Sequence, residues 1–381
     1  MSSPTKNEPR IDPEEILAGI REWVEIETPS ANGAAVNRLV DVVEHQLRDV
    51  GQRVERRRGR DGFGDVLIGH SPWGEGEKGV LVVAHLDTVH PEGSLAGPMA
   101  WRRDGDSVHG PGIYDMKAGG HMAFYAYRHL VRLGRRTTLP ITFIFVPEEE
   151  VGSPTSREII EREAARAKYA LVVEPARDGG KIVLARKGAA MFTVRTHGRA
   201  AHAGMRHQDG RSAIKEMARQ IVDLEGMTDY DSGLTVSVGT VRGGTVTNVV
   251  PAFCQIDVDM RIPSPDLVDA SVERVLGLKP YDADVRIEVE GGLNRPPYES
   301  DAGIAALFEH AKGLAREIGF ELEGVKTGGG SDGNFTAALG VPTLDGLGAD
   351  GRGAHAPEEQ IYFSSLRPRT ELLLRLFETL R

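Results

Sequence analysis

The sequence predicts an α/β protein: a mixed, mostly parallel sheet with helices on both faces, interrupted by an inserted α+β segment. Three observations predict it. In the first half, short and wholly apolar runs alternate with amphipathic stretches, as buried parallel strands alternate with helices. The middle changes to runs in which apolar and polar residues alternate, the mark of strands with one wet face. The α/β pattern then resumes to the end of the chain.

Taken in order, the polar segment Met1 to Arg10 reads as a loose leader. Helices are predicted over 16–25 and 34–50 from their apolar spacing. Val80-Leu81-Val82-Val83-Ala84 is a strand covered on both faces. A helix follows over 118–133, a buried strand over 141–146, a helix over 156–165 and a strand over 169–173. Alternating strands are predicted over 191–196, 234–238, 253–262 and 285–289. Helices over 211–225 and 265–278 interrupt them. The order strand-helix-strand-strand-helix-strand predicts a ferredoxin-like unit. A helix over 303–318, the apolar run 341–344 and a terminal helix over 364–380 return to the first pattern. Residues 1–180 and 293–381 therefore form one discontinuous domain, with 181–292 inserted into it.

Composition narrows the function. A formal charge of −10 argues against nucleic acid as the main partner. Cys254, the single cysteine, excludes an internal disulfide, and its place in an alternating run predicts a buried structural role. No basic start followed by an apolar stretch marks a signal peptide. No apolar run reaches the roughly 18 residues of a membrane span. The expectation is a cytoplasmic protein with no membrane partner.

The chemistry gathers at strand ends. His85 and Asp87 follow the first buried run; Glu148, Glu149 and Glu150 follow the second; Glu174 follows the third; His355 follows the run at 341–344 and a glycine-rich loop. Open α/β sheets collect their functional groups at the carboxyl ends of strands. Any one of these residues alone could be a surface polar group, a helix cap or a solvated turn. Their joint placement at one edge points to a site. Two imidazoles plus carboxylates suit Zn²⁺ or a similar ion. Asp115 lies in a loop entering a helix, where a carboxylate could bridge two ions about 3.5 Å apart.

His85-Leu86-Asp87-Thr88-Val89, Gly110 to Lys117, Glu149-Glu150-Val151-Gly152-Ser153, Glu174-Pro175 and Gly353-Ala354-His355 together resemble the M20 metallopeptidases. The likeness runs from about residue 15 to the C-terminus and is nearest the glutamate carboxypeptidase branch. It implies a zinc-peptidase fold whose insert is a lid and dimerisation domain, and hence a homodimer joined through that lid. It implies two divalent metal ions, Zn²⁺ first, with Co²⁺ or Mn²⁺ as alternatives. His85, Asp115 and Glu174 would hold one ion. Asp115, Glu150 and His355 would hold the other. Asp87 would accept the second N–H of His85. Counting back from Gly152 gives Glu149 as the general base and Glu150 as the ligand, with a slip of one place as the alternative. The family's third motif usually has Asp where this chain has Glu148.

In the insert, His202 would stabilise the oxyanion, although Ala201 stands where most relatives have Ser. Asn248 and Arg261 would hold a substrate carboxylate, for which the planar guanidinium fork is suited. Gly329 and Ser331, in Gly328-Gly329-Gly330-Ser331, would line the active site; the loop lacks the Lys-Ser/Thr of a phosphate-binding P-loop. The implied function is a two-metal hydrolase that cleaves an amide bond to release an amino acid. Its substrate would be a small molecule or short peptide, as a carboxypeptidase on C-terminal glutamate or on N-acyl amino acids. The alternatives are an acetylornithine deacetylase, a succinyl-diaminopimelate desuccinylase or an aminoacylase. A metal-binding relative that has lost catalysis fits less well, because base and ligands are all present.

Overall fold

A computed structural model describes residues 10–381. The leader expected over the first ten residues lies outside them, apart from Arg10. The chain divides into two compact units. The first comprises residues up to Ala185, Ser300–Lys326 and Ser331–Arg381. The second comprises Arg186–Glu299 and Thr327–Gly330. The sequence placed the insert at 181–292; the second unit begins later, at Arg186, and two local causes carry its end further. Strand Arg286–Arg295 runs past residue 292. The buried Arg186 guanidinium also donates to the carbonyls of Gly329 at 3.0 Å and Gly330 at 3.3 Å, drawing that short segment in.

The first unit is built on a six-stranded sheet. Its strands, in spatial order, are Arg53–Arg57, Val66–His70, Ile141–Val146, Gly79–His85, Ala167–Val172 and Thr343–Leu344. The first three pair antiparallel and the remaining junctions are parallel. Alternate residues of each strand enter different cores, since successive side chains of a strand point to opposite faces. Val80, Val82, Ala84, Phe143 and Phe145 pack with helices Pro13–Val24, Gly33–Asp49, Ala118–Arg132 and Phe363–Thr379. Leu81, Val83, Ile144, Val146 and Val172 pack on the other face with Ile160 and Phe335. Both faces are covered, which is why the strands read as unbroken apolar runs. Four short strands, Arg102–Asp104, Ser107–His109, Gly351–Arg352 and Gln360–Tyr362, form a second small sheet.

The second unit has strands Gly188–His197, Thr235–Gly243, Phe253–Ile262 and Arg286–Arg295, with helices Ala213–Glu225 and Val268–Leu276. Numbered in chain order, the strands lie 2-3-1-4 across the sheet, all antiparallel. That is the ferredoxin-like arrangement expected from the element order. Ala190, Phe192, Val194, Ile256, Val258 and Met260 face inward against Met217, Leu224 and Val275. Cys254 is buried here, and burial pushes its thiol up.

Candidate metal centre

His85 ends strand Gly79–His85, and Glu174 lies two residues beyond strand Ala167–Val172. Glu148, Glu149 and Glu150 lie just past strand Ile141–Val146. Parallel pairing puts these three chain ends side by side. Asp115 comes from the loop ahead of helix Ala118–Arg132, and His355 from the turn before strand Gln360–Tyr362. The His85 and His355 side chains both face Asp115.

Asp115 sits between the two imidazoles. Its Oδ1 is 3.2 Å from His85 Nε2 and its Oδ2 is 3.5 Å from His355 Nε2. Glu174 lies 3.9 Å from the same His85 nitrogen, and Glu150 lies 2.9 Å from His355 Nε2. Ligand atoms of His85, Glu149 and Glu174 fall within 4.8 Å of one another, as do those of His85, Asp115 and Glu150. His85 Nδ1 faces the backbone carbonyl of Asp87 at 3.0 Å, so a neutral ring with its proton on Nδ1 would present Nε2, the atom facing Asp115, as a ligand. The Asp87 carboxylate is the more distant partner, at 3.4 Å.

What that carboxylate mainly holds is the glutamate loop. Asp87 Oδ1 accepts from Glu149 N–H at 3.1 Å, and Oδ2 accepts from Glu150 N–H at 3.3 Å and from Ser30 Oγ at 2.6 Å. Glu148 braces the loop from behind and is itself buried. Its Oε1 accepts from the Thr155 N–H and hydroxyl and from Ser156 N–H, at 2.8–3.0 Å. The buried Glu148 carboxylate thus has a structural use.

The Asp115 loop is equally constrained. Gly112 takes φ +67°, and a Cβ there would meet Thr88 Cγ2 at 2.2 Å, so only glycine fits the turn. His355 also has positive φ, +63°, a conformation that costs a non-glycine residue about 1–2 kcal/mol.

The electrostatics call for added positive charge. Burial raises Glu150 to about 7 despite the contact with His355. Burial, then the charge of Asp115, pushes Glu174 well above the usual carboxylate range. Burial opposes ionisation of Asp115 too, but the His355 and His85 imidazoles outweigh it and hold its carboxyl low. In return, contacts with Asp115 and Glu150 push His355 up to about 10. His85 is raised as well: burial works against its charge, but Asp115 and Asp87 overcome it. Two imidazoles cannot balance four carboxylates in so small a space. Buried Glu150 Oε1 has no hydrogen-bond partner, and its lone pairs suit a cation. The residues present therefore fit divalent metal ions.

The remaining predicted site residues are spread over both units. Ser331 is buried in the first unit, where its hydroxyl donates to Asp345. His202, Asn248, Arg261 and Gly329 belong to the second. His202 Nδ1 accepts from Gly204 N–H at 3.1 Å and Met205 N–H at 3.2 Å. Asn248 lies on the neighbouring segment, its carbonyl accepting from Ala203 N–H at 2.9 Å. Arg261 turns its fork to Asp259, in two contacts of 2.7 and 2.8 Å. A substrate carboxylate would have to compete with that pair. Sequence reasoning missed Ser30, His90 and Glu359, buried polar residues around the centre that sit in no recognisable pattern.

A model of peptidase family M20/M25/M40 matches residues 81–379. The chain is 31% identical over 362 residues to carboxypeptidase G2 of a Pseudomonas species, covering 93% of this chain and 86% of that protein. It is 28% identical over 382 residues to a putative succinyl-diaminopimelate desuccinylase of Mycobacterium tuberculosis, covering 96% and 98%. Its fold is similar to that of an aminopeptidase PepT from Bacillus cereus, with a TM-score of 0.75, 25% identity and coverage of 97% and 98%. An M20 family metallo-carboxypeptidase from Sulfolobus solfataricus matches with a TM-score of 0.74 at 17% identity, over 97% and 100% of the two chains.

Proposed function

The chain belongs to peptidase family M20/M25/M40, and we propose that it is a two-metal hydrolase releasing an amino acid from an amide. The observation that carries this reading is Asp115, with one oxygen toward His85 and the other toward His355. His85, Asp115 and Glu174 hold one cation in this scheme, and Asp115, Glu150 and His355 hold the other. When bound, the two divalent ions, Zn²⁺ first with Co²⁺ or Mn²⁺ as alternatives, polarise the scissile carbonyl and make the attacking water more acidic.

Glu149 takes the proton of that water and returns it to the leaving amine nitrogen. Glu150 touches His355 at 2.9 Å, while Glu149 groups with His85 and Glu174. Asp87 fixes the loop that carries both. His202 serves as the donor to the developing oxyanion. Asn248, Arg261, Gly329 and Ser331 serve substrate binding.

The substrate is a C-terminal glutamate peptide or an N-acyl amino acid, supported by the identity to carboxypeptidase G2. Full-length likeness to the desuccinylase supports a biosynthetic deacylase as the second reading. No helix among the described residues is long and apolar enough to cross a membrane. One buried cysteine suits the reducing cytoplasm as the place of action. Strand Thr235–Gly243 is an open sheet edge. Val241, 61% exposed, lies on that strand, and Val222, 71% exposed, on helix Ala213–Glu225 of the same unit. An outermost strand among the described residues, with exposed valines on it and on the helix of the same unit, supports a homodimer through this unit.

A panel of N-acyl amino acids and dipeptides ending in Glu, Asp, ornithine or Ala tests the reading, each with and without chelator. Fastest release of glutamate, lost on chelation, is the expected result. A peak on acetylornithine or a succinylated diamine would move the enzyme to the second reading. Hydrolysis indifferent to chelator would overturn both.

A further inference from the structure

Glu359 is 1% exposed and lies four residues after His355, just before strand Gln360–Tyr362. Its carboxylate has four donors. Oε1 accepts from Tyr114 N–H at 2.8 Å and Asp115 N–H at 2.9 Å. Oε2 accepts from Gly112 N–H at 2.9 Å and faces His90 Nε2 at 2.6 Å. His90, itself only 8% exposed, follows His85 in the same loop. One carboxylate thus ties together the three loops that deliver His85, Asp115 and His355.

We propose that Glu359, with His90 as its second support, is a positioning residue that fixes the bridging carboxylate of Asp115 between the two cation sites. The inference rests on the two-metal reading. Backbone amides explain why the task falls to a carboxylate. Gly112, Tyr114 and Asp115 all point N–H groups inward around a turn that no regular element satisfies. A buried acceptor with two oxygens is needed to meet them. A glutamine has one. Its amide group would face N–H donors on one side, and the Asp115 loop would be released there. Asp115 is the ligand shared by both sites, so its displacement weakens simultaneous occupancy more than it weakens either site alone.

The test is Zn²⁺ titration of the metal-stripped full chain by equilibrium dialysis, for the wild type and Glu359→Gln. Wild type is expected to bind two ions per chain. Glu359→Gln is expected to bind the second about tenfold or more weakly, with kcat falling by a similar factor and KM little changed. Two ions bound by the variant within twofold of wild-type affinity would overturn the inference. A wild type that binds fewer than two would instead overturn the two-metal reading. His90 supplies a gentler pair that does not depend on Glu359→Gln folding. His90→Gln keeps an N–H donor toward Glu359 and should retain the second ion; His90→Leu lacks it and should lose affinity several-fold. Equal affinity in these two variants would also overturn the inference.

Discussion

Replacing Asp87 by asparagine keeps the shape of the side chain and removes one acceptor. The two carboxylate oxygens serve Glu149 N–H on one side, and Glu150 N–H with Ser30 Oγ on the other. Ser30 has an alternative, since the Thr88 carbonyl is 3.3 Å away, so its hydroxyl can turn and accept from the new amide group. The amide then settles with its NH₂ on that side, and Glu150 N–H is left facing a donor. One buried orphaned N–H costs about 1–3 kcal/mol of stability. His85 suffers less, because its nearer partner is the Asp87 backbone carbonyl at 3.0 Å, which the substitution leaves in place. The expected result is a loss of about 2 kcal/mol in urea unfolding. A drop of about 10- to 100-fold in kcat should accompany it, equivalent to about 1.4–2.7 kcal/mol in the barrier, with KM nearly unchanged. Activity within twofold of wild type at unchanged stability would refute the assignment of Asp87 to the glutamate loop.

Other outcomes follow from the same geometry. Gly119→Ala would place a Cβ 1.8 Å from the Val173 carbonyl oxygen. Backbone must move by more than an ångström, so urea unfolding should show a loss of about 3 kcal/mol. His121 is buried against Trp23, and burial lowers its pKa to about 3. The unfolded chain therefore takes up the proton first, and stability is lost as pH falls below the unfolded value of 6.5. Unfolding free energy should drop by about 1 kcal/mol between pH 7 and 5.5 from this group, and His121→Gln should remove that part of the slope. Adding Zn²⁺ to metal-stripped protein at 100 times its dissociation constant should stabilise the fold by about 2.7 kcal/mol per site in thermal unfolding. No shift would argue against a built metal centre.

The parts of the fold that could be read in the sequence are those where burial writes a pattern. Strand Gly79–His85 is covered on both faces and so is an unbroken apolar run, and the acid or imidazole after each such run marks the sheet edge. Strand Arg53–Arg57 escaped notice because it is an edge strand whose exposed residues are charged. Glu359 and His90 escaped for a different reason. Glu359 takes its partners from backbone N–H groups of a distant loop, which leave no trace in side-chain spacing, and His90 is held by Glu359 itself, 269 residues away. The carboxylate of Asp87 was expected to serve His85, and the structure gives it chiefly to Glu149 and Glu150, because the Asp87 main-chain carbonyl reaches the imidazole first. Asp259, which takes the fork of Arg261, sits two residues away on the same strand face, a neighbour that the alternation itself dictates.

Glu149→Gln tests the central claim most directly, measured as single-turnover hydrolysis of an N-acyl glutamate on protein whose Zn²⁺ content is determined in the same sample. With the side chain's shape kept and its basicity removed, the account predicts two ions still bound and a rate lower by about 10²- to 10⁴-fold. Full metal content with a rate within tenfold of wild type would contradict it, and would remove Glu149 from the proton transfer on which the mechanism depends.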